Sequence, residues 1–478
     1  MGVPNYYKQI TEKYPKCIHM TKDMGGNIKL FFDFNGLIHT VVNNCEATDL
    51  ADMRVLFFKI VQYFEYIVDY IKPVWIMVAI DGVCPRLKMI QQRLRRFKSA
   101  KERQQDSNFD RNGISPGTKF MQDLCEYLHN HFKQYDNLLF VDANEAGEGE
   151  HNIYNFIKED KDCTKDTRYV IYGLDADLIM LSFISPKDNI YLLRERQAFD
   201  REYKEEGLNF NFLDINELKF GLIDDTKQRY EIDFDEREFL DDYVFFCFLL
   251  GNDFMPHINV LSIYHNGMDL LMANYVKMRK RMNMSLIYKG KINTAALSGL
   301  LKDIVRDEDK LVVQTSKKYS RGYQLNYNRR NWKKNYYYHF FNNYTEKYVN
   351  EICDNYWNTL VWTFKYYFEG CPSWKYNYEY RAAPCLSDLV NYLKQIDLND
   401  YTFEKDEPYT QNQQLMMILP PRSIKLLPEK YRGLISNELV EFYPVDFKYE
   451  TVDKMVNWQH EPIIPEINDK LIMKYVRD

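Results

Sequence analysis

The sequence predicts an α/β protein: a mainly parallel sheet flanked by helices, joined to a mostly helical second region. Three observations carry this. Short apolar runs alternate with helical patterns through the first half of the 478 residues. Those runs are apolar at nearly every position rather than at every second one, as expected of strands covered on both faces. From about residue 266 the strand signals give way to long helical patterns. The division read from this change is 1–265 for a strand-and-helix region and 266–478 for a mostly helical region.

The elements follow in order. "IKLFF" (28–32) is the first buried strand, and "MRVLFFKIVQYFEYIVDYI" has the apolar spacing of a long helix. "VWIMVAI" (74–80), "NLLFV" (137–141) and "RYVIY" (168–172) are further strands bounded by turn residues. Segments 200–235 and 313–335 are polar and read as loops or insertions. "YTEKYVNEICDNYWNTLVWTFKYYFEG" is a long helix, and prolines in "LPPRS" and "FYPVDF" punctuate short elements near the C-terminus.

Bulk properties narrow the function. A net charge of −6 argues against a generic basic coat for nucleic acid but leaves room for a local basic pocket. Aromatic residues are 16%, enough to supply stacking surfaces beyond the core. Nine cysteines form no C-x-x-C pair and read as reduced thiols of an intracellular protein. His129 and His131 lack partners at zinc-ligand spacing. The N-terminal stretch is polar, without the pattern of a signal peptide, and no apolar run reaches the length of a membrane span.

Carboxylates follow the strands. Asp33 comes after the first strand, Asp81 after the second, Glu148 and Glu150 in "DANEAGEGEHNIYNFI" after the third, and Asp175 and Asp177 in "LDADL" after the fourth. Asp253, in "LLGNDFMPH", follows a buried helix. Each alone is an ordinary turn or cap residue. Together they fall at one edge, because ligands of parallel sheets bind outside the carboxyl ends of the strands. Such a cluster is tolerated only with cations between its members. All-oxygen donors favour Mg²⁺, with Mn²⁺ as a substitute, over zinc, and two ions could act together on a phosphodiester.

The run from Val74 to Ala100 then turns basic. On a helical wheel Lys88, Gln92, Arg95 and Arg96 lie within about a third of a turn, whereas Leu87, Ile90, Leu94 and Phe97 take another side. A solvated charged face is the ordinary reading. A pocket for a terminal phosphate is the sharper one, since lysine and arginine forks suit phosphate oxygens. Such a pocket beside metal ions would measure cleavage from a chain end.

The chain resembles the XRN-type 5′→3′ exoribonuclease family in "MGVPNYYKQITEKYP", "FFDFNGLIH", "IDGVCPRLKMIQQRLRRFKSA", "ISPGTKFM", "EAGEGEHNI", "YGLDADLIMLS" and "LLGNDFMPH", and later in "YYFEGCPSWKYNYEYRAAP", "QLMMILPPRSIKLLP" and "EFYPVDF". The resemblance implies a PIN/flap-nuclease-like core. It implies that Asp33, Asp81, Glu148, Glu150, Asp175, Asp177 and Asp253 are catalytic metal ligands for two Mg²⁺ ions, and that Lys88, Gln92, Arg95 and Arg96 bind a 5′-phosphate. His39 and Trp374 would stack on bases. Tyr376 stands where the family has a second tryptophan, and Arg381-Ala382 where a histidine-tyrosine pair is expected, so the cavity wall differs. The implied function is processive degradation of 5′-monophosphorylated single-stranded RNA to mononucleotides in RNA decay. A monomer is expected, in the cytoplasm or alternatively the nucleus, with decapping or other RNA-decay factors as partners and no membrane association. A structure-specific flap endonuclease and an inactive RNA-binding scaffold are the alternatives.

Overall fold

The computed structural model describes residues 5–19, 25–102, 109–196, 210–317, 325, 327, 330–395 and 402–477. Its centre is a seven-stranded sheet of β1 (Ile18–His19), β2 (Asn27–Asp33), β3 (Trp75–Ala79), β4 (Leu138–Val141), β5 (Thr167–Tyr172), β6 (Ile190–Glu195) and β7 (Phe210–Asp214), ordered β1-β7-β6-β5-β2-β3-β4. The five strands from β2 to β6 run parallel; β7 pairs antiparallel with β6 and with β1. The four strands expected from the sequence are present. Between 200 and 235 the expectation of an irregular segment is corrected for the described part: Phe210–Asp214 is β7 and Ile215–Tyr230 is a helix. The strand pairs along the sheet, and Asp214 starts the helix by accepting hydrogen bonds from Asn216 N and Glu217 N. Of 313–335, the ends belong to helices Glu308–Ser316 and Trp332–Phe341, and most of the stretch between lies outside the described residues.

Alternate side chains of the sheet feed two cores. Phe31, Met77 and Ile171 point into one that continues without a break into the helical region, through Tyr275, Leu300, Trp357, Trp362 and Leu389. Leu30, Phe32, Val78 and Tyr172 face the other, closed by helices Phe34–Asn44, Met53–Ile71 and Lys119–Phe132. A third core joins Met89 and Phe97 of the basic helix Arg86–Glu102 to Leu415–Leu419, Tyr443 and Ile472. The long helix Glu346–Phe368 runs where the sequence places it. All nine cysteines are free, six of them buried. No described helix is long and apolar enough to cross a membrane.

Strand order reverses at β2. The chain moves from β2 through β3 to β4 on one side, then returns to β5 and β6 on the other. The crevice at such a reversal is where open parallel sheets bind ligands.

Candidate active site

Register explains why the acids converge. Asp33 pairs with Ala79 across β2 and β3, so Asp81 lies two residues past the same level. Phe32 pairs with Tyr172, so Asp175 and Asp177 follow just beyond on the other side. The edge strand β4 would deliver its acids too far away, but its loop is pinned back: Gly82 N donates to Gly147 O and Gly147 N to Val83 O, both at 2.9 Å. A Cβ on Gly82 would strike the Glu145 carbonyl, so this approach needs glycine. Glu148 then precedes the helix Gly149–Glu159, with Glu150 in its first turn. Asp253 arrives from a buried turn that Gly251 opens at φ 86° and Asn252 holds by accepting from Phe254 N and Met255 N.

Asp81 is fixed within the cluster by Gly149 N at 2.7 Å and by Asn35 Nδ2 at 2.9 Å. Tyr366 of the long helix donates to Glu148 at 2.7 Å, so the helical region completes the site. His151 packs on Tyr366 with ring centroids 4.1 Å apart, and it shares a metal-compatible cluster with Glu148 and Glu150. Sequence reasoning missed Asn35, His151 and Tyr366. Asn35 and His151 sit two residues after Asp33 and one after Glu150, so proximity could have suggested them. No local signal marks Tyr366.

The electrostatics are those of crowded anions. Burial raises the pKa of Asp33 well above its ordinary value, and Asp81 and Asp175 add to the rise. Burial also lifts Asp81, with Glu148 beside it, to about 6, and lifts Asp177 to about 6. Glu150 is raised by burial and then by Asp177 and Glu148. Glu150 Oε2 and Asp177 Oδ1 are buried with no hydrogen-bond partner among the described residues. Orphaned carboxylate oxygens among like charges suit divalent cations, so the residues fit the metal that the sequence implies.

Among the described residues, a lysine enters the cluster. Lys88 Nζ lies 2.6 Å from Glu148 and 2.7 Å from Asp253. Against the effect of burial, it holds both carboxylates below their usual range. Lys88 therefore departs from the wheel's grouping with the basic face: it sits among the acids. Further along the same helix, Gln92 Oε1 is buried without a partner among the described residues, and Arg96 donates to Ser115 Oγ at 2.6 Å. Arg95 is exposed and makes no hydrogen bond or ion pair with the described residues. Ile90, expected to pack, is only half-buried and outside the cores.

His39 lies on the helix Phe34–Asn44 with its side chain open to solvent, yet desolvation and the guanidiniums of Arg95, Arg96 and Arg111 push its pKa down to about 4. His39 thus lies within the field of these three guanidiniums. Arg111 is a third cation there that sequence reasoning missed, because it comes from a separate turn, Arg111–Gly113. Trp374 is half-buried and its indole packs on none of the described cores or rings. Tyr376, by contrast, packs edge-on to Phe403 and is held by hydrogen bonds with Thr359 Oγ1 and Asn355 O. Arg381 donates to Ile464 O, and Ala382 is buried. His129 and His131 pair with Asp142 and Glu65, away from any group of metal-ligand type among the described residues.

Comparison with known proteins identifies the family. The family description "XRN 5'-3' exonuclease N-terminus" matches residues 1–196, and "Xrn1 helical domain" matches 232–331 and 324–478. The chain is 29% identical to 5'-3' exoribonuclease 1 of Homo sapiens, over 99% of this chain and 34% of that protein. It is 26% identical to 5'-3' exoribonuclease 1 of Saccharomyces cerevisiae, over 99% of this chain and 43% of that one. It therefore spans between a third and a half of the length of these relatives. Among solved structures, the catalytic core of Rad2 in complex with DNA substrate aligns over 82% of this chain and 95% of its own at 11% identity and a TM-score of 0.36, too distant to carry an argument. With both family regions matched in order along almost the whole sequence, the chain belongs to the XRN 5'-3' exonuclease family.

Proposed function

We propose that this chain is a processive 5′→3′ exoribonuclease that hydrolyses single-stranded RNA bearing a 5′-monophosphate to mononucleotides, in RNA decay. The observation that carries this reading is a single helix, Arg86–Glu102, with Lys88 among the acids at one end and, at the other, an exposed Arg95 that is unpaired among the described residues and whose charge reaches His39. Seven residues of helix separate the two by about 10 Å. That spacing suits an enzyme that grips a terminal phosphate and cuts a short distance away.

Asp33, Asp81, Glu148, Glu150, Asp175, Asp177 and Asp253 would hold the metal, which we take to be two Mg²⁺ ions replaceable by Mn²⁺. When bound, these would stabilise charge on the phosphodiester and make water a nucleophile at neutral pH. The rest falls to the chain. Asn35 and Gly149 N aim the Asp81 carboxylate, and Tyr366 aims that of Glu148. Lys88 keeps Glu148 and Asp253 ionised as donors. Arg95, with Arg96, Gln92 and Arg111 around it, would take the 5′-phosphate by charged hydrogen bonds. His39, neutral at pH 7, and Trp374 would offer flat surfaces to bases without reading sequence.

The test is degradation of matched RNAs with 5′-monophosphate, 5′-triphosphate or 5′-hydroxyl ends, with Mg²⁺ or with chelator. Monophosphate RNA should shorten to mononucleotides only with metal, and the other ends should resist. Discrete internal fragments from 5′-blocked RNA would favour an endonuclease instead. Tight RNA binding without turnover would favour a scaffold.

A further inference from the structure

The tripeptide that carries Trp374 is held by one carboxylate from a distant part of the chain. Asp406 accepts from Ser373 Oγ at 2.7 Å, from Trp374 N at 2.5 Å and from Lys375 N at 3.1 Å. It lies in an extended stretch, 402–410, outside any helix or strand, so it caps no element, and its neighbours Glu404, Lys405 and Glu407 are exposed. Two carbonyls of the tripeptide are also engaged. Ser373 O accepts from Trp362 Nε1, and Trp374 O accepts from Arg86 N at the start of the basic helix.

This matters because the Trp374 indole has no packing of its own among the described cores and rings. A packed side chain is aimed by its neighbours. Trp374 is half-buried but outside these cores, so its backbone anchor helps to aim it, and without that restraint more of the ring's freedom would have to be lost each time a base arrived. The bond from Arg86 N also sets the height of the indole relative to the helix that bears Lys88 and Arg95. We propose that Asp406 is a positioning residue: it clamps residues 373–375 so that Trp374 stands as a preformed stacking platform for single-stranded RNA, in register with the phosphate-gripping helix. This rests on the reading of the site as an RNA exonuclease. Asp406 touches neither substrate nor metal ligands and acts through Trp374.

The experiment is a double-mutant cycle in the full chain: wild type, Asp406→Ala, Trp374→Ala and the double variant, with Asp406→Asn as the conservative change. Two quantities are read. One is KM against kcat on 5′-monophosphorylated RNA. The other is Kd for a 5′-monophosphorylated strand with hydrolysis-resistant phosphorothioate linkages. Asp406→Ala should weaken binding about tenfold with kcat little changed. Asp406→Asn, which keeps one acceptor oxygen for Trp374 N, should recover part of that loss. In the Trp374→Ala background the Asp406→Ala change should have no further effect on Kd. An equal loss in both backgrounds, or no loss in either, overturns the proposal. A fall in melting temperature together with kcat in Asp406→Ala would mark a merely structural role and overturn it too. If wild type binds the strand but degrades no RNA, the exonuclease reading fails, while the Kd cycle still decides the role of Asp406.

Discussion

The two sides of the helix Arg86–Glu102 have similar chemistry and opposite uses. On one side Arg86 is 1% exposed: its Nε donates to both oxygens of Asp469, at 3.0 and 3.1 Å, and its Nη2 to Ile467 O. Arg93 is buried too, donating to Met417 O at 3.0 Å and to Phe442 O, with its guanidinium 4.4 Å from the Phe97 ring centre. These arginines bind the C-terminal segments to the helix that follows β3. On the other side Arg95 stands open and Lys88 serves the acids. A buried guanidinium held by carbonyls and carboxylates is out of a ligand's reach, so burial and partners, more than charge, sort structural from functional cations.

The comparison breaks most visibly where the open side meets the acids. Asp177→Ala should reduce the hydrolysis rate by about a thousandfold or more, since metal contributes several kcal/mol to such reactions, and should leave circular dichroism and melting temperature nearly intact. Near-full turnover in this variant would remove the acid cluster from the chemistry. Next comes the closed side. Arg93→Ala strands two buried carbonyls and opens a cavity, so it should cost about 3 kcal/mol of folding stability, read by denaturant titration, while the folded fraction keeps its preference for 5′ ends. Arg95→Ala is the mirror case: unchanged stability, but about a tenfold loss in the ratio of monophosphate to hydroxyl RNA turnover, with Arg95→Lys recovering only part. If Arg93→Ala and Arg95→Ala exchanged these signatures, the assignment of the two sides would be reversed.

The smallest effect is a titration. His257, beside Lys454 and His265, has its pKa lowered to about 4, chiefly by burial, against about 6.5 when unfolded. The unfolded chain therefore binds more protons between those values, and stability rises with pH across them. The contribution of His257 is full above about pH 6.5 and is lost as pH falls towards 4. His257→Gln should flatten the difference between stability at pH 7 and pH 5 by on the order of 1 kcal/mol. Parallel stability curves for the two proteins would show that His257 is not held neutral.

Much of this was legible in the amino-acid order. Local apolar runs predict β2 to β5 because a strand covered on both faces needs continuous apolar residues, and that requirement is visible over five or six positions. The acids could be placed together because parallel strands send their carboxyl ends to one edge. The same local logic failed at 210–230, where a polar helix and a short strand gain their stability from pairing and packing with β6 and the core.

What the sequence determined by itself is which residue types stand at the strand ends and on the basic helix, since both follow from short-range periodicity. What only the tertiary structure decided is how those residues divide. Lys88 joins the acids because Glu148 and Asp253, 60 and 165 positions away, close around it. Arg86 and Arg93 become structural because residues 417, 442, 467 and 469 fold over them. Tyr366 reaches Glu148, and Asp406 holds Trp374, from parts of the chain with no local mark of either role. Hydrogen bonds and ion pairs act over about 3–4 Å in space, whatever the separation in sequence, so partners brought together by chain folding carry no periodicity by which they could be read.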